Sequence, residues 1–122
     1  MFPNGSHGLF SFSKSERILK SEDYASVRLS GVSSYTEHFR VIYMPNDLGI
    51  TRLGITVSKK IGNAVKRNRI KRILREFFRL NKSCFPYGCD TVIVARKDAS
   101  HLSYYMILDE LLRVKFDVCN KK

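Results

Sequence analysis

Nine basic side chains fall within the 21 positions from Lys59 to Arg79: Lys59, Lys60, Lys66, Arg67, Arg69, Lys71, Arg72, Arg75 and Arg79. Glu76 is the one acid in that stretch, so almost none of the charge is neutralised locally. Arginine supplies most of it, and the planar guanidinium fork grips phosphate oxygens two at a time. On a helical wheel Ile70, Ile73, Leu74, Phe77, Phe78 and Leu80 gather on one face. Asn68, Arg72, Arg75 and Arg79 run down the opposite one. Like charges at such spacings repel by a few tenths of a kcal/mol each. A solvated surface helix usually intersperses its signs, so a helix that keeps this repulsion points to a polyanionic partner.

Groups that could break a bond are missing from the pattern. His7, His38 and His101 are scattered, and none has hydrolase-like spacing to a nucleophile. The acids are sparse; Glu22-Asp23 suits the first turn of a helix, and Asp109-Glu110 points away from the apolar stripe of another. There is no Gly-rich phosphate cradle. Cys84, Cys89 and Cys119 are odd in number and loosely spaced, a poor disulfide framework and an incomplete zinc set. Reduced, structural thiols are expected, and no protein-held metal.

The elements that must position the cations can be read from the same pattern. Ser21, followed by two acids, reads as the cap of a helix through Tyr24 and Val27 that stops near Gly31. Glu37–Met44 and Arg52–Ser58 read as strands, and their short connection predicts an antiparallel hairpin. A further short strand fits between Gly31 and Glu37. Asn63 is placed to cap a helix from about Ala64 to Leu80. Asp90–Ala95 is a nearly continuous apolar run, as in a strand buried on both faces. Tyr104, Ile107, Leu108 and Leu111 keep the spacing of a helix with one apolar stripe. The order helix, strand, strand, helix, strand, helix predicts a two-layer α/β sandwich, helices packed on a small mixed sheet.

The bulk numbers agree. The 122 residues suit one domain, and 22 Lys and Arg against 11 Asp and Glu give a net charge of +11. That is the footprint of a nucleic-acid binder, although an anionic membrane would attract it too. Phe77 and Phe78 are needed by the core rather than by lipid, which favours nucleic acid. No stretch approaches a membrane span, and the first ten residues do not read as a signal peptide, so the cytoplasm is the default expectation. Residues 1–13 read as a loosely held extension, 14–118 as one RNA-binding domain and 119–122 as a short basic tail.

The stretch Gly54–Arg79, GITVSKKIGNAVKRNRIKRILREFFR, resembles the signature of the bacterial ribonuclease P protein subunit, with its Arg-Asn-Arg motif at Arg67-Asn68-Arg69. The likeness extends to RILKSEDYASV (Arg17–Val27) and TVIVARKDASHL (Thr91–Leu102), and spans about Glu16 to Phe116. The resemblance implies a left-handed strand–helix–strand crossover, against the usual hand. It implies a monomeric protein bound to a catalytic RNA, which removes the 5′ leader of precursor tRNA with magnesium ions held mainly by RNA and substrate. It places Lys59, Lys60, Arg67, Asn68, Arg69, Lys71 and Arg72 against RNA, and the basic run adds Lys66 and Arg75 as RNA-binding candidates. It also places Tyr24 where a ring faces the leader, although plain core packing serves that residue equally. Phe39 and Tyr43 share a face of their strand, which lines either the leader cleft or the core. Arg28 stands where some members carry a second aromatic, exchanging a stacking position for a phosphate-binding one. A structural RNA-binding protein of similar shape is the competing reading. A protein-only nuclease would need a carboxylate cluster that this chain lacks.

Overall fold

The computed structural model describes residues 12–96 and 99–114. Its elements are α1 (Ser21–Ser30), β1 (Val32–Tyr35), β2 (Phe39–Pro45), β3 (Arg52–Thr56), α2 (Ala64–Leu80), β4 (Cys89–Ala95) and α3 (Tyr104–Leu112). The short strand expected after Gly31 is therefore present as β1. The expected basic tail and Cys119 lie outside the described residues, as does most of the expected extension. Phe12 nevertheless packs edge-on against Phe78 at 5.2 Å, so ordered packing begins before Lys14.

The sheet runs β1-β2-β4-β3, with β1, β2 and β4 antiparallel in turn and β3 parallel to β4. This corrects the predicted hairpin: β2 and β3 do not pair, because β4 lies between them. The reason is burial. Six of the seven β4 residues are buried, and a strand apolar on both faces belongs at the centre of a sheet. The tight hairpin is β1–β2 instead. Adjacent parallel strands β3 and β4 are joined through α2.

Side chains alternate across each strand and sort the core into two clusters. On one face Phe39 and Val41 of β2, Leu53 of β3 and Ile93 and Ala95 of β4 meet Ile70, Ile73, Leu74, Phe77 and Phe78 of α2 and Ile107 and Leu111 of α3. On the other, Ile42 and Val92 meet Val27 of α1 and Ile18, with Tyr24, Met44 and Val94 partly buried beside them. Leu80, expected on the apolar face of α2, is 41% exposed at the helix end. Cys84 is a free, exposed thiol, whereas buried Cys89 is disulfide-bonded, which corrects the expectation of reduced thiols. An odd count still leaves room for one pair.

Helix ends follow local chemistry. The Asn63 side chain accepts from the Lys66 backbone N–H at 3.0 Å, and Ser103 caps α3 by accepting from Met106. At α1 the cap position is Lys20 rather than Ser21, with no side-chain hydrogen bond; Glu22 and Asp23 still occupy the first turn. Gly31 ends α1 because nothing larger fits: a Cβ there would stand 2.5 Å from the Val27 carbonyl oxygen.

Candidate nucleic-acid interface

The basic residues of α2 do not act as one set. Lys59, Lys60, Lys66, Asn68, Arg72 and Arg75 are exposed, whereas Arg67, Arg69 and Lys71 are half-buried. Arg67 donates from Nε to the Gly62 carbonyl at 3.1 Å and so ties the turn that carries Lys59 and Lys60. Arg69 donates from Nη2 to the Leu102 carbonyl at 2.9 Å, bridging α2 to the turn before α3. Arg79, expected on the free ridge, is paired with Glu76 at 2.6 Å. The free charge of the helix thus lies between Lys66 and Arg75, at Lys66, Lys71, Arg72 and Arg75, with Lys59 and Lys60 on the preceding turn.

Two adjoining cavities, of about 300 and 400 Å³, open between α1 and the β3 edge and share Tyr24, Ile55 and Lys71. Arg17, Arg75, Phe12 and Leu19 line the first; Arg28, Ser21 and Thr56 line the second. No carboxylate lines either, so every charged side chain that a polyanion meets there is a cation. A larger cavity of about 430 Å³ lies between the β1–β2 turn and α3, but Glu37, Asp109 and Glu110 line it. His38 and Arg113 line it too, so its charge is mixed and suits a phosphate chain less well than a lining whose charges are all cations.

Tyr24 sits at the junction of the two basic cavities. Its ring lies on the backbone of Gly54, where a Cβ would come within 2.7 Å of Cε1. Its hydroxyl accepts from the Ile55 N–H at 3.3 Å, satisfying a donor on the edge strand that faces no neighbouring strand. The half-buried ring serves the packing and also forms part of the cleft wall. Phe39 and Tyr43 do neither in the cleft. They are 0% and 2% exposed, and alternation puts both on the α2 side of the sheet, away from Tyr24. They are core residues, which corrects their place among the cleft candidates.

A buried ion pair between β3 and β4 also reaches α1, and nothing in the motifs announced it. Arg52 donates from Nε and Nη2 to the two oxygens of Asp90 at 2.8 and 2.7 Å, and reaches Asp23 of α1 at 3.3 Å. Asn46 adds a hydrogen bond to Asp90 at 2.8 Å. Hydrogen bonding to Asp90 raises the Arg52 pKa against the opposing effect of burial, with Asp23 adding to it. Asp23 is next to Tyr24, so this network sets where the ring lies. A second anchor is Glu16, which accepts from the Ser13 N–H at 2.8 Å and pairs with Lys82 at 2.7 Å. Burial raises its pKa, but Lys82 and Ser13 outweigh that and lower it overall. Among the described residues no group of three or more His, Cys, Asp or Glu is placed to hold a metal ion, and no helix is long and apolar enough to cross a membrane.

Comparison with known proteins adds an independent finding. A model of the Ribonuclease P family matches residues 12–116. The ribonuclease P protein component of Syntrophus aciditrophicus is 52% identical over 98 residues, covering 80% of this chain and 82% of that protein. Its counterpart in Desulforapulum autotrophicum is 44% identical over 104 residues, 85% and 89% of the two chains. Among solved structures, the Staphylococcus aureus RNase P protein superposes with a TM-score of 0.75 at 38% identity, covering 80% of this chain and 90% of that one. The Thermotoga maritima protein does so at 0.73 and 36%, covering 80% and 92%.

Proposed function

The chain belongs to the ribonuclease P protein family, and from that premise we propose that it binds the catalytic RNA along α2 and the 5′ leader of precursor tRNA in the Tyr24 cleft. Membership makes it the protein component of an endoribonuclease complex that processes tRNA, with an RNA partner. The finer assignment rests on one observation. Lys71 and Arg75 belong to the unneutralised side of α2 and also line the cleft beside Tyr24. One continuous positive surface therefore serves both RNA ligands.

In this reading Lys59, Lys60, Lys66, Asn68 and Arg72 contact the catalytic RNA. Lys71 and Arg75 bridge to the leader, and Tyr24 offers a ring on which a leader base stacks, a contact worth about 1–3 kcal/mol. Arg28 holds a leader phosphate. Arg67 and Arg69 contribute charge to the same surface while their guanidiniums hold backbone carbonyls. The chain supplies binding and orientation as a cytoplasmic monomer. Phosphodiester hydrolysis belongs to the RNA, and magnesium is held by RNA and substrate. Asp23 and Asp90 do not fit a protein-held ion, since Arg52 already neutralises both, and no step assigned to this chain passes through magnesium.

The test is cleavage of precursor tRNA by a bacterial ribonuclease P RNA at low magnesium, with and without the protein, and by the protein alone. Cleavage at the mature 5′ end only in the mixture supports the assignment. RNA binding without stimulation would turn it into a structural RNA-binding role. Cleavage by the protein alone would mean an active site on the chain.

A further inference from the structure

We propose that the leader does not end at Tyr24 but crosses the open part of the same sheet face to a second platform, Tyr35 held between Arg40 and Arg96. The inference rests on the leader assignment above. The strand register supplies the path. Tyr35 pairs with Arg40, Arg40 with Val94, and Val94 with Thr56, so the four side chains form one row on one face. The neighbouring row of the same face, Ser33, Ile42, Val92 and Gly54, lies under α1, where Val27 packs on Ile42 and Val92 and Tyr24 covers Gly54. The row from Tyr35 to Thr56 borders that packing: Val94 is partly buried at its edge, Arg40 and Thr56 are half-buried, and Tyr35 is exposed. Val94 is the one residue of β4 that is not buried.

One end of the row is already in the cleft, because Thr56 lines the cavity shared by Tyr24 and Arg28. Three strand spacings, about 14 Å, separate Thr56 from Tyr35. At the far end Tyr35 is 60% exposed. The Arg40 guanidinium carbon lies 5.6 Å and that of Arg96 5.1 Å from its ring centroid. Both guanidiniums are held by neutral groups. Arg40 donates from Nε and Nη2 to the Ser33 hydroxyl at 3.2 and 3.1 Å, and Arg96 donates from Nη1 to the Thr36 carbonyl at 2.9 Å. Neither pairs with a carboxylate among the described residues. An exposed ring flanked by two fixed, unneutralised guanidiniums suits an unpaired nucleotide: the ring and the guanidinium planes stack on a base, and their remaining donors meet a phosphate. Such a site has no preference for double-stranded RNA, whose bases are already stacked on one another. The single-stranded leader, guided there from Tyr24 along Thr56 and Val94, is the ligand that the row fits.

The experiment uses the holoenzyme and measures binding of two precursor tRNAs. One has a leader too short to pass Tyr24, and the other has a leader long enough to cross the row. In the wild type the long leader binds more tightly. Tyr35→Ala weakens binding of the long-leader substrate by at least about fivefold, the low end of one lost stacking contact, and leaves the short one unchanged. Tyr35→Phe, which keeps the ring, retains wild-type binding. Arg40→Gln and Arg96→Gln reduce the salt dependence of long-leader binding only. An equal loss on both substrates would overturn the proposal and place Tyr35 against the catalytic RNA or in the fold. So would no loss on either. If the wild type itself fails to distinguish the two leaders, this inference falls while the cleft assignment, which both substrates share, stands.

Discussion

The two faces of the sheet are built to different specifications. Among the described residues, sixteen buried side chains form the cluster on the α2 and α3 side, against four on the α1 side. The large cluster is closed by interlocked aromatic rings: Phe78 meets Phe12 and Phe85 edge-on at 5.2 and 4.9 Å. The small one is bordered by cavities, a half-buried tyrosine and a half-buried row that ends in exposed Tyr35. One face supplies stability. The other spends little of its surface on packing, and a buried ion pair does there what a wide apolar contact would otherwise do. Binding surface is available because α1 is held by Val27 on Ile42 and Val92 and by Asp23 on Arg52 instead of along its whole length.

The sharpest way to break this comparison is to truncate one residue on each face. Phe78→Ala should lower stability by about 3–5 kcal/mol in denaturant unfolding, the range for a buried ring. Ile42→Ala should fall near the low end of the aliphatic range, about 2 kcal/mol, because the adjoining cleft lets its neighbours relax. Equal costs would mean that the faces share the load. A smaller effect separates the arginines of α2. Arg69→Ala should cost about 1 kcal/mol through the lost hydrogen bond to Leu102. Arg72→Ala should leave stability within about 0.5 kcal/mol and reduce the salt slope of RNA binding by about 0.7–0.9. Identical behaviour of the two would erase the distinction between bracing and contacting residues.

The smallest effect is a pH dependence on the packed side. Glu110 accepts from the Thr36 hydroxyl at 2.5 Å and from the His38 backbone N–H and ring nitrogen at 2.7 and 2.8 Å. Burial raises its pKa, but these hydrogen bonds outweigh burial and hold it below the ordinary 4.5. A depressed carboxylate contributes stability that is present above its unfolded value and lost as pH falls through the folded one. Thermal unfolding should therefore show a loss of stability below about pH 4.5 that is shallower in Glu110→Gln. An unchanged profile would remove Glu110 as the link between α3 and the β1–β2 turn.

Local elements were legible in the sequence because their causes are local. The Asn63 cap, the apolar stripe of α2 and the continuous run of β4 each lie within one segment. Strand order was not, because β2 and β3 are separated by a strand that follows a whole helix. The double-sided burial of β4 was visible, and it was the signal that should have placed that strand at the centre. Alternation showed that Phe39 and Tyr43 share a face, but not which face is packed. Spacing likewise gave the positions of Arg67 and Arg69 on α2 without showing that their guanidiniums reach carbonyls of Gly62 and Leu102. The anchor at Arg52 escaped notice because its partners, Asp23 and Asp90, lie far apart along the chain.

The central place of β4 also governs the order in which the chain can fold. Of the four strands it is the last to be synthesised, yet both β2 and β3 form their ladders on it. Until Cys89–Ala95 leaves the ribosome, β3 has no strand beside it and α2 has only a partial sheet to cover. Pairings such as Phe39 with Ala95 are non-local, and folds built on them close more slowly than helical bundles. In that interval the apolar face of α2 stands open to aggregation, while its dense positive charge keeps nascent chains apart. An RNA that captures the charged face at this stage and binds the finished fold best draws the chain toward closure by mass action.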